Sequence, residues 1–408
     1  MAAVIALSGR VVPHSELPSQ HVLGNSWWSD RPWLSFMARA NDDDFRYLLI
    51  ETAEGRLCAV APLMLSGADH GPFFLNSAAI IGDERAFGDS ARLTSEQQAS
   101  YQQLLTGLDN LRAGQYPSVA LSSRGTDHGV SMIADAPVSR ELVLQRLPAI
   151  LAEVAAGLGC RSYAILHLGE SDRAIIEPAA TAGGYCQVLL GAESCLSIPD
   201  VTSRAEYQAS LRSRRRSRFA KEMQDYLAHG LRTVTHYGPD AITEDVVRLQ
   251  ARLRAKHGMS TELAATRKEF SDIQQVAGEH CLVLTAEREG RTIGFVLALH
   301  DRARQALHVR SSGFDDDDPV ASSYFVLVYQ DVPGWAAEHG IRTVWYGISA
   351  SEAKRARGCT LLPLYGYLGF TGAAAGRLGQ IGRLQSLGEQ RRLAELGCSF
   401  AEPSLPAD

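Results

Sequence analysis

Between Thr343 and Gly358 the chain reads Thr-Val-Trp-Tyr-Gly-Ile-Ser-Ala-Ser-Glu-Ala-Lys-Arg-Ala-Arg-Gly. Lys354 and Arg357 stand three residues apart in a short helical segment, a spacing that puts both cations on one helical face. Before them an apolar, β-favouring run stops at Gly347. A strand that delivers two fixed positive charges at its carboxyl end is one way to build an anion or oxyanion site. The same residues also suit a plain strand, a turn and a solvated basic helix.

Three other groups bear on chemistry. Arg212, Arg214, Arg215, Arg216, Arg218 and Lys221 crowd one helical stretch. Such self-repulsion is tolerated when a polyanion or facing carboxylates neutralise it. Trp27, Trp28 and Trp33 surround Arg31-Pro32 and suit either an acceptor pocket or a packing anchor. His308 and Arg310, near the end of a β run, are further acceptor-binding candidates. After them Asp315-Asp316-Asp317-Asp318-Pro319 reads as a solvated acidic turn ahead of a helix; the regular ligand spacing of a calcium loop is missing.

These residues need a frame, and composition says what kind is available. With 45% apolar and 21% charged residues the chain has the make-up of an ordinary soluble protein with a sizeable core. Its 408 residues suggest two or three domains. A net charge of −6 argues against a protein coated with nucleic acid, while leaving room for a local basic site. The seven scattered cysteines read as buried free thiols, and no Cys/His spacing suggests a metal site. No apolar run is long enough to span a membrane and the amino end lacks a signal-peptide pattern, so a cytoplasmic protein is expected.

The frame repeats. Two β runs around Glu54-Gly55-Arg56 read as a hairpin, and the phrase returns around Glu289-Gly290-Arg291. An amphipathic helix over 141–159 leads into a strand through Gly159-Cys160-Arg161-Ser162. A helix over 322–339 does the same through Gly340-Ile341-Arg342-Thr343. The interval between hairpin and helix is longer in the first half, which implies an insertion around 66–139. The spacing of Leu378, Ile381, Leu384 and Leu393 predicts a docking helix near the carboxyl end.

An α/β unit centred on a hairpin and repeated once resembles the GNAT superfamily of acyltransferases in tandem form. More specifically, it is similar to the Fem-type aminoacyl transferases and the peptidoglycan-biosynthesis-like proteins related to them. The resemblance rests on three places: the basic helix that runs to Gly230; the helix leading through Gly340-Ile341 to Tyr346-Gly347-Ile348; and the step Lys354-Arg355-Ala356-Arg357-Gly358. It implies two GNAT-like α/β domains in tandem, 1–197 and 198–408, each with a mixed central sheet flanked by helices. It also implies amide formation, with an activated acyl or aminoacyl group moved onto a primary amine. By similarity Lys354 serves the oxyanion or a carrier phosphate with Arg357 in support, while Tyr346 and Glu352 handle or orient the proton.

The resemblance leaves the carrier between aminoacyl-tRNA and acyl-CoA, with no tightly bound cofactor. The acidic run after Arg310 sits where a GNAT enzyme has its pyrophosphate loop, and Gly125-Thr126-Asp127-His128-Gly129 in the first half does not match that loop either. The basic helix favours a polyanion, either a tRNA acceptor stem or a nucleotide-linked acceptor. Aminoacyl transfer from tRNA to a small-molecule or cell-wall-precursor amine is therefore the leading expectation. Acyl-CoA-dependent acetylation and a non-catalytic anion- or nucleic-acid-binding module are the alternatives.

Overall fold

The computed structural model describes residues 6–17, 22–23, 26–41, 44–71, 73–123, 126–256, 262–317 and 320–400. The fold is α/β, with strands in mixed parallel and antiparallel pairing and helices flanking them. In chain order the strands are β1 (Leu7–Val12), β2 (Val22–Leu23), β3 (Phe45–Thr52), β4 (Leu57–Ser66), β5 (Ser118–Leu121), β6 (Ser131–Ile133) and β7 (Ser162–Leu168). They continue as β8 (Cys186–Ser197), β9 (Arg232–Tyr237), β10 (Cys281–Arg288), β11 (Arg291–Asp301), β12 (Ala306–Phe314), β13 (Thr343–Trp345) and β14 (Thr360–Phe370). No helix among the described residues is long and apolar enough to cross a membrane.

Two compact units emerge: unit 1 takes Met1–Glu193 together with Leu361–Asp408, and unit 2 is Ser194–Thr360. The division therefore differs from a simple cut at 197. The last strand and the carboxyl-terminal helix, Ala375–Glu395, return to unit 1. Strand pairing explains the return, because β14 runs antiparallel to β7 with Tyr367 opposite Ile165 and Phe370 opposite Ser162. The helix then docks in the same unit through Leu378, Ile381 and Leu393, and Gln385 accepts from the Gly82 N–H at 2.8 Å.

Unit 1 is built on the order β1-β3-β4-β5-β7-β14, followed by the first part of β8. The expected first hairpin is β3/β4, with Gly55 at φ +76° in its turn. The segment expected to be an insertion holds more than extra chain. Besides helices Ser95–Leu105 and Leu108–Ala113 it contains β5, which pairs parallel with β7 from Ser118↔Ser162 to Leu121↔Ile165. Four residues after Pro117 are too short a run to show a period. Helix Arg140–Gly157 buries Val143, Leu147, Ile150 and Leu151 in this unit's core.

Unit 2 runs from the end of β8 through β13, β12, β11 and β10 to β9. Its hairpin β10/β11 turns on Glu289 and Gly290, at φ +52° and +77°. Two successive left-handed residues are what a two-residue turn between twisted strands requires. The helical stretch expected over 322–339 is Ala321–Val326, a π-helical turn Leu327–Asp331, and Val332–Glu338. It ends at Gly340 with φ +67°, close to the +70° of Gly159 after the corresponding helix of unit 1. In both units a left-handed glycine thus turns a helix into the second member of a parallel strand pair.

Candidate functional site

The site stretch lies wholly in unit 2. Parallel pairing of β12 with β13 covers only Ala306↔Thr343, Leu307↔Val344 and His308↔Trp345. β12 then continues to Phe314 on β11, with Arg310 as the extra residue of a bulge between the pairs Ala298↔Val309 and Leu297↔Ser311. β13 instead stops at Trp345, and Tyr346 and Gly347 bond back to Ser194. The two strands therefore part immediately beyond His308 and Trp345.

Tyr346 is fixed by the helix that precedes its strand. In the π-helical turn the Val332 N–H donates to Leu327 O, so the carbonyl of Val328 falls to residue 333. Residue 333 is proline and has no N–H. The Tyr346 hydroxyl fills the gap, donating to Val328 O at 2.9 Å. Burial lifts this phenol well above its ordinary range. Its ring packs 5.4 Å from that of Tyr329.

Lys354, 5% exposed, reaches back across the turn, and its ammonium donates to the carbonyls of Tyr346 and, at 3.1 Å, Gly347. Arg357, 7% exposed, lies 2.6 Å from Glu222 Oε1, and its guanidinium stacks 4.0 Å over the Phe325 ring. Glu222 also accepts from Gln330 at 3.0 Å. Both cations are thus buried and satisfied by named partners, as buried charge requires. Tyr346, Lys354 and Arg357 form one contiguous assembly, linked through the turn carbonyls and Tyr329, which lies 5.8 Å from Arg357. Glu352 stays exposed in the first turn of the short helix Ser351–Ala356.

The basic residues occupy the helix Ser213–Ala228 and its N-cap, Arg212. Phe219 and Tyr226 anchor its other side in the core, burial contributing roughly 1.5–3 kcal/mol each. Arg216 donates to the Leu211 carbonyl and, at 3.2 Å, to Ala209 O. Arg212, Arg214, Arg218 and Lys221 are exposed and Arg215 is half-buried; among the described residues the side chain of none of these five has a hydrogen bond or ion pair. Among the described residues no carboxylate is paired with these five side chains.

The acidic turn behaves in the opposite way. Buried Asp315 is paired with Arg291 and, at 3.0 Å, with Arg252, which also reaches Asp317 at 3.2 Å; Lys256 meets Asp316 at 2.8 Å. Its carboxylates hold neighbouring helix and strand cations, while Asp318 and Pro319 lie outside the described residues. Gly125 of the first-half loop lies outside them too. No cluster of three or more His, Cys, Asp or Glu that could hold a metal occurs among the described residues.

The acceptor candidates fall in both units. In unit 1, Trp27, Trp28 and Trp33 are all under 10% exposed; Trp28 meets Trp33 edge-on at 4.7 Å, and Trp33 Nε1 donates to Ser123 O at 2.7 Å. That is the packing-anchor arrangement. In unit 2, His308 is buried and stacks on Trp345 at 6.5 Å, while Arg310 pairs with Glu269 at 3.3 Å. None of the seven cysteines forms a disulfide, and all but Cys195 are buried.

Residues 116–368, more than half of the chain, match the FemAB-like family model, described as peptidoglycan biosynthesis/recognition. The chain belongs to the FemAB-like family. As a family member it is an acyltransferase. No curated protein matches its sequence. Among solved structures, L-PGS from Bacillus licheniformis is similar at 10% identity over 88% of this chain and 98% of its own, with a TM-score of 0.47. A tandem GNAT protein from the clavulanic acid biosynthesis pathway is similar at 10% identity over 90% of this chain and 99% of its own, with a TM-score of 0.43.

In this FemAB-like chain the corresponding strand ends of unit 1 hold polar groups that the sequence reading passed over. His167, at φ +62°, has Nδ1 2.9 Å from the Ser122 hydroxyl, both buried; burial lowers its pKa to about 4. Nearby, Asp172 is gripped by both Arg140 nitrogens, at 2.6 and 2.7 Å, and by His128 at 2.8 Å. Burial alone would raise Asp172, yet these bonds hold its carboxyl well below the usual range. The sequence cue for this cluster is the histidine that closes an apolar run just before Gly169.

Proposed function

We propose that this protein forms amide bonds by moving an aminoacyl group from aminoacyl-tRNA to a primary amine of a small molecule or cell-wall precursor. The observation that carries the reading is the surface of helix Ser213–Ala228 and its N-cap, where the side chains of Arg212, Arg214, Arg215, Arg218 and Lys221 make no ion pair among the described residues. A polyanionic carrier supplies that charge, releasing counterions as it binds.

In the transfer the amine nitrogen attacks the ester carbonyl carbon. The C–N bond forms, the C–O bond to the tRNA ribose breaks, the amine gives up a proton and the ribose oxygen takes one. Lys354 and Arg357 are the proposed source of positive potential for the oxyanion and the carrier; both are held in place before substrate arrives, so little reorganisation is needed. Tyr346, its hydroxyl spent on Val328 O, orients this turn. The exposed Glu352 is the carboxylate proposed for proton handling. His308 and Arg310, where β12 leaves β13, are proposed to face the acceptor. Incubation with charged tRNAs or acetyl-CoA, together with candidate amines, tests the reading by product mass. An aminoacyl adduct formed only with charged tRNA is expected. Turnover with acetyl-CoA alone, or salt-sensitive binding of uncharged tRNA without turnover of any donor, overturns it.

A further inference from the structure

The amino end of helix Ser213–Ala228 opens onto a cleft of about 430 Å³ lined by Ser210, Leu211, Arg212, Arg215, Arg355 and Gly358. Three arginines share a lining that contains no carboxylate. The side chains of Arg212 and Arg215 have no hydrogen-bond or ion-pair partner among the described residues, so no bonded carboxylate offsets their like charge. Arg212, as N-cap, makes no side-chain capping bond, so the partial positive charge of the helix end adds to theirs.

Gly358 lines the cleft without a side chain of its own. Its φ is +98°, and a Cβ built on it would stand 2.0 Å from Arg215 Nη2, 2.2 Å from Nη1 and 2.3 Å from Cζ. Both Nη atoms lie nearer to that position than Cζ does, so the forked end of the Arg215 guanidinium reaches into the space that a side chain here would occupy. A planar fork seated in this way loses little freedom when it binds two oxygens at once.

We propose that this cleft is a phosphate-ester seat, with Arg215 as its fixed fork and Arg212 and Arg355 closing on the same group. Guanidinium matches phosphate oxygens in bidentate geometry. At about 430 Å³ the cleft falls within the range of small-ligand sites, which leaves room for the sugar that carries the phosphate. The seat rests on the carrier reading above only for which molecule brings the phosphate.

The full chain is titrated at low salt with inorganic pyrophosphate by calorimetry, and with a fluorescein-labelled RNA hairpin copying a tRNA acceptor stem by anisotropy. Arg215→Gln and Arg212→Gln are expected to weaken binding by about tenfold or more. Arg248→Gln removes the same charge from an exposed pair with Asp245 elsewhere in unit 2, and is expected to change it by less than about twofold. Binding of the hairpin, lost in the cleft variants, assigns the phosphate to a polynucleotide. Binding of pyrophosphate with none of the hairpin, again lost in the variants, keeps the seat, assigns it to a nucleotide-linked substrate and removes the tRNA reading. Unchanged affinity in folded Arg215→Gln and Arg212→Gln overturns the seat, even if aminoacyl transfer from charged tRNA is observed. Should either variant fail to fold, exposed Arg355→Gln carries the same test.

Discussion

The two units finish the same piece of architecture differently. Each sends a helix through a left-handed glycine into the second strand of a parallel pair, β7 in unit 1 and β13 in unit 2. In unit 1 the strand ends close on themselves: His167 is kept neutral against Ser122, and Asp172 is held by Arg140 and His128. In unit 2 the strand end carries ammonium and guanidinium groups with partners of their own, and a helix beside them bears Arg214, Arg215, Arg218 and Lys221, whose side chains make no ion pair among the described residues. The two units share this frame, while charge is distributed unequally between them. Anion chemistry is accordingly proposed for unit 2.

The comparison breaks most sharply at Arg357. Arg357→Met removes a buried cation from the partly buried Glu222 beside Gln330, and should cost about 3 kcal/mol in urea unfolding. A loss under about 1 kcal/mol would mean that the cation is dispensable to the fold.

The next effect belongs to unit 1. The folded pKa of His167 is depressed to about 4, against about 6.5 unfolded, so the unfolded chain binds the proton more readily. The stability this contributes is full above the unfolded value and drains away as pH falls towards the folded one. About 2 kcal/mol should be lost between pH 8 and pH 5. In His167→Asn, whose side chain tolerates the left-handed backbone and carries no titrating proton, that part of the slope should vanish from the pH series of melts.

Tyr346→Phe leaves the Val328 carbonyl without its donor and should cost about 1–2 kcal/mol, read by thermal melting. If activity falls much further than stability predicts, Tyr346 has a chemical role beyond the turn. Smallest of all, Arg214→Gln and Arg218→Gln should alter stability by less than about 0.5 kcal/mol. Each should lower the salt slope of RNA binding by about one.

How much of this was legible in the sequence depended on the range of the interaction. Both hairpins announced themselves, because the β runs and the Glu-Gly-Arg turns that join them are local. The basic helix was legible as a crowd of arginines, but whether carboxylates faced it was not, since any partner would come from distant chain. The acidic turn shows the same blindness in reverse: Asp315 to Asp317 were visible, whereas Arg252, Lys256 and Arg291, which meet them, lie on other elements. β5 was too short to show a period, and the return of β14 to β7 joins residues on either side of the whole of unit 2. Lys354 and Arg357 were singled out by spacing. Their partners, two turn carbonyls and Glu222, emerged only with the fold.

Pro333 carries one more consequence. A proline inside a helix ordinarily marks a break, yet here the hydrogen it lacks creates a keyhole that only the Tyr346 hydroxyl fills. If the helix slid by one residue along β13, that hydroxyl would meet a carbonyl already spoken for and the keyhole would stand empty. The pair therefore acts as a registration mark: it fixes how far the strand travels before it turns, and so where Lys354 comes to rest.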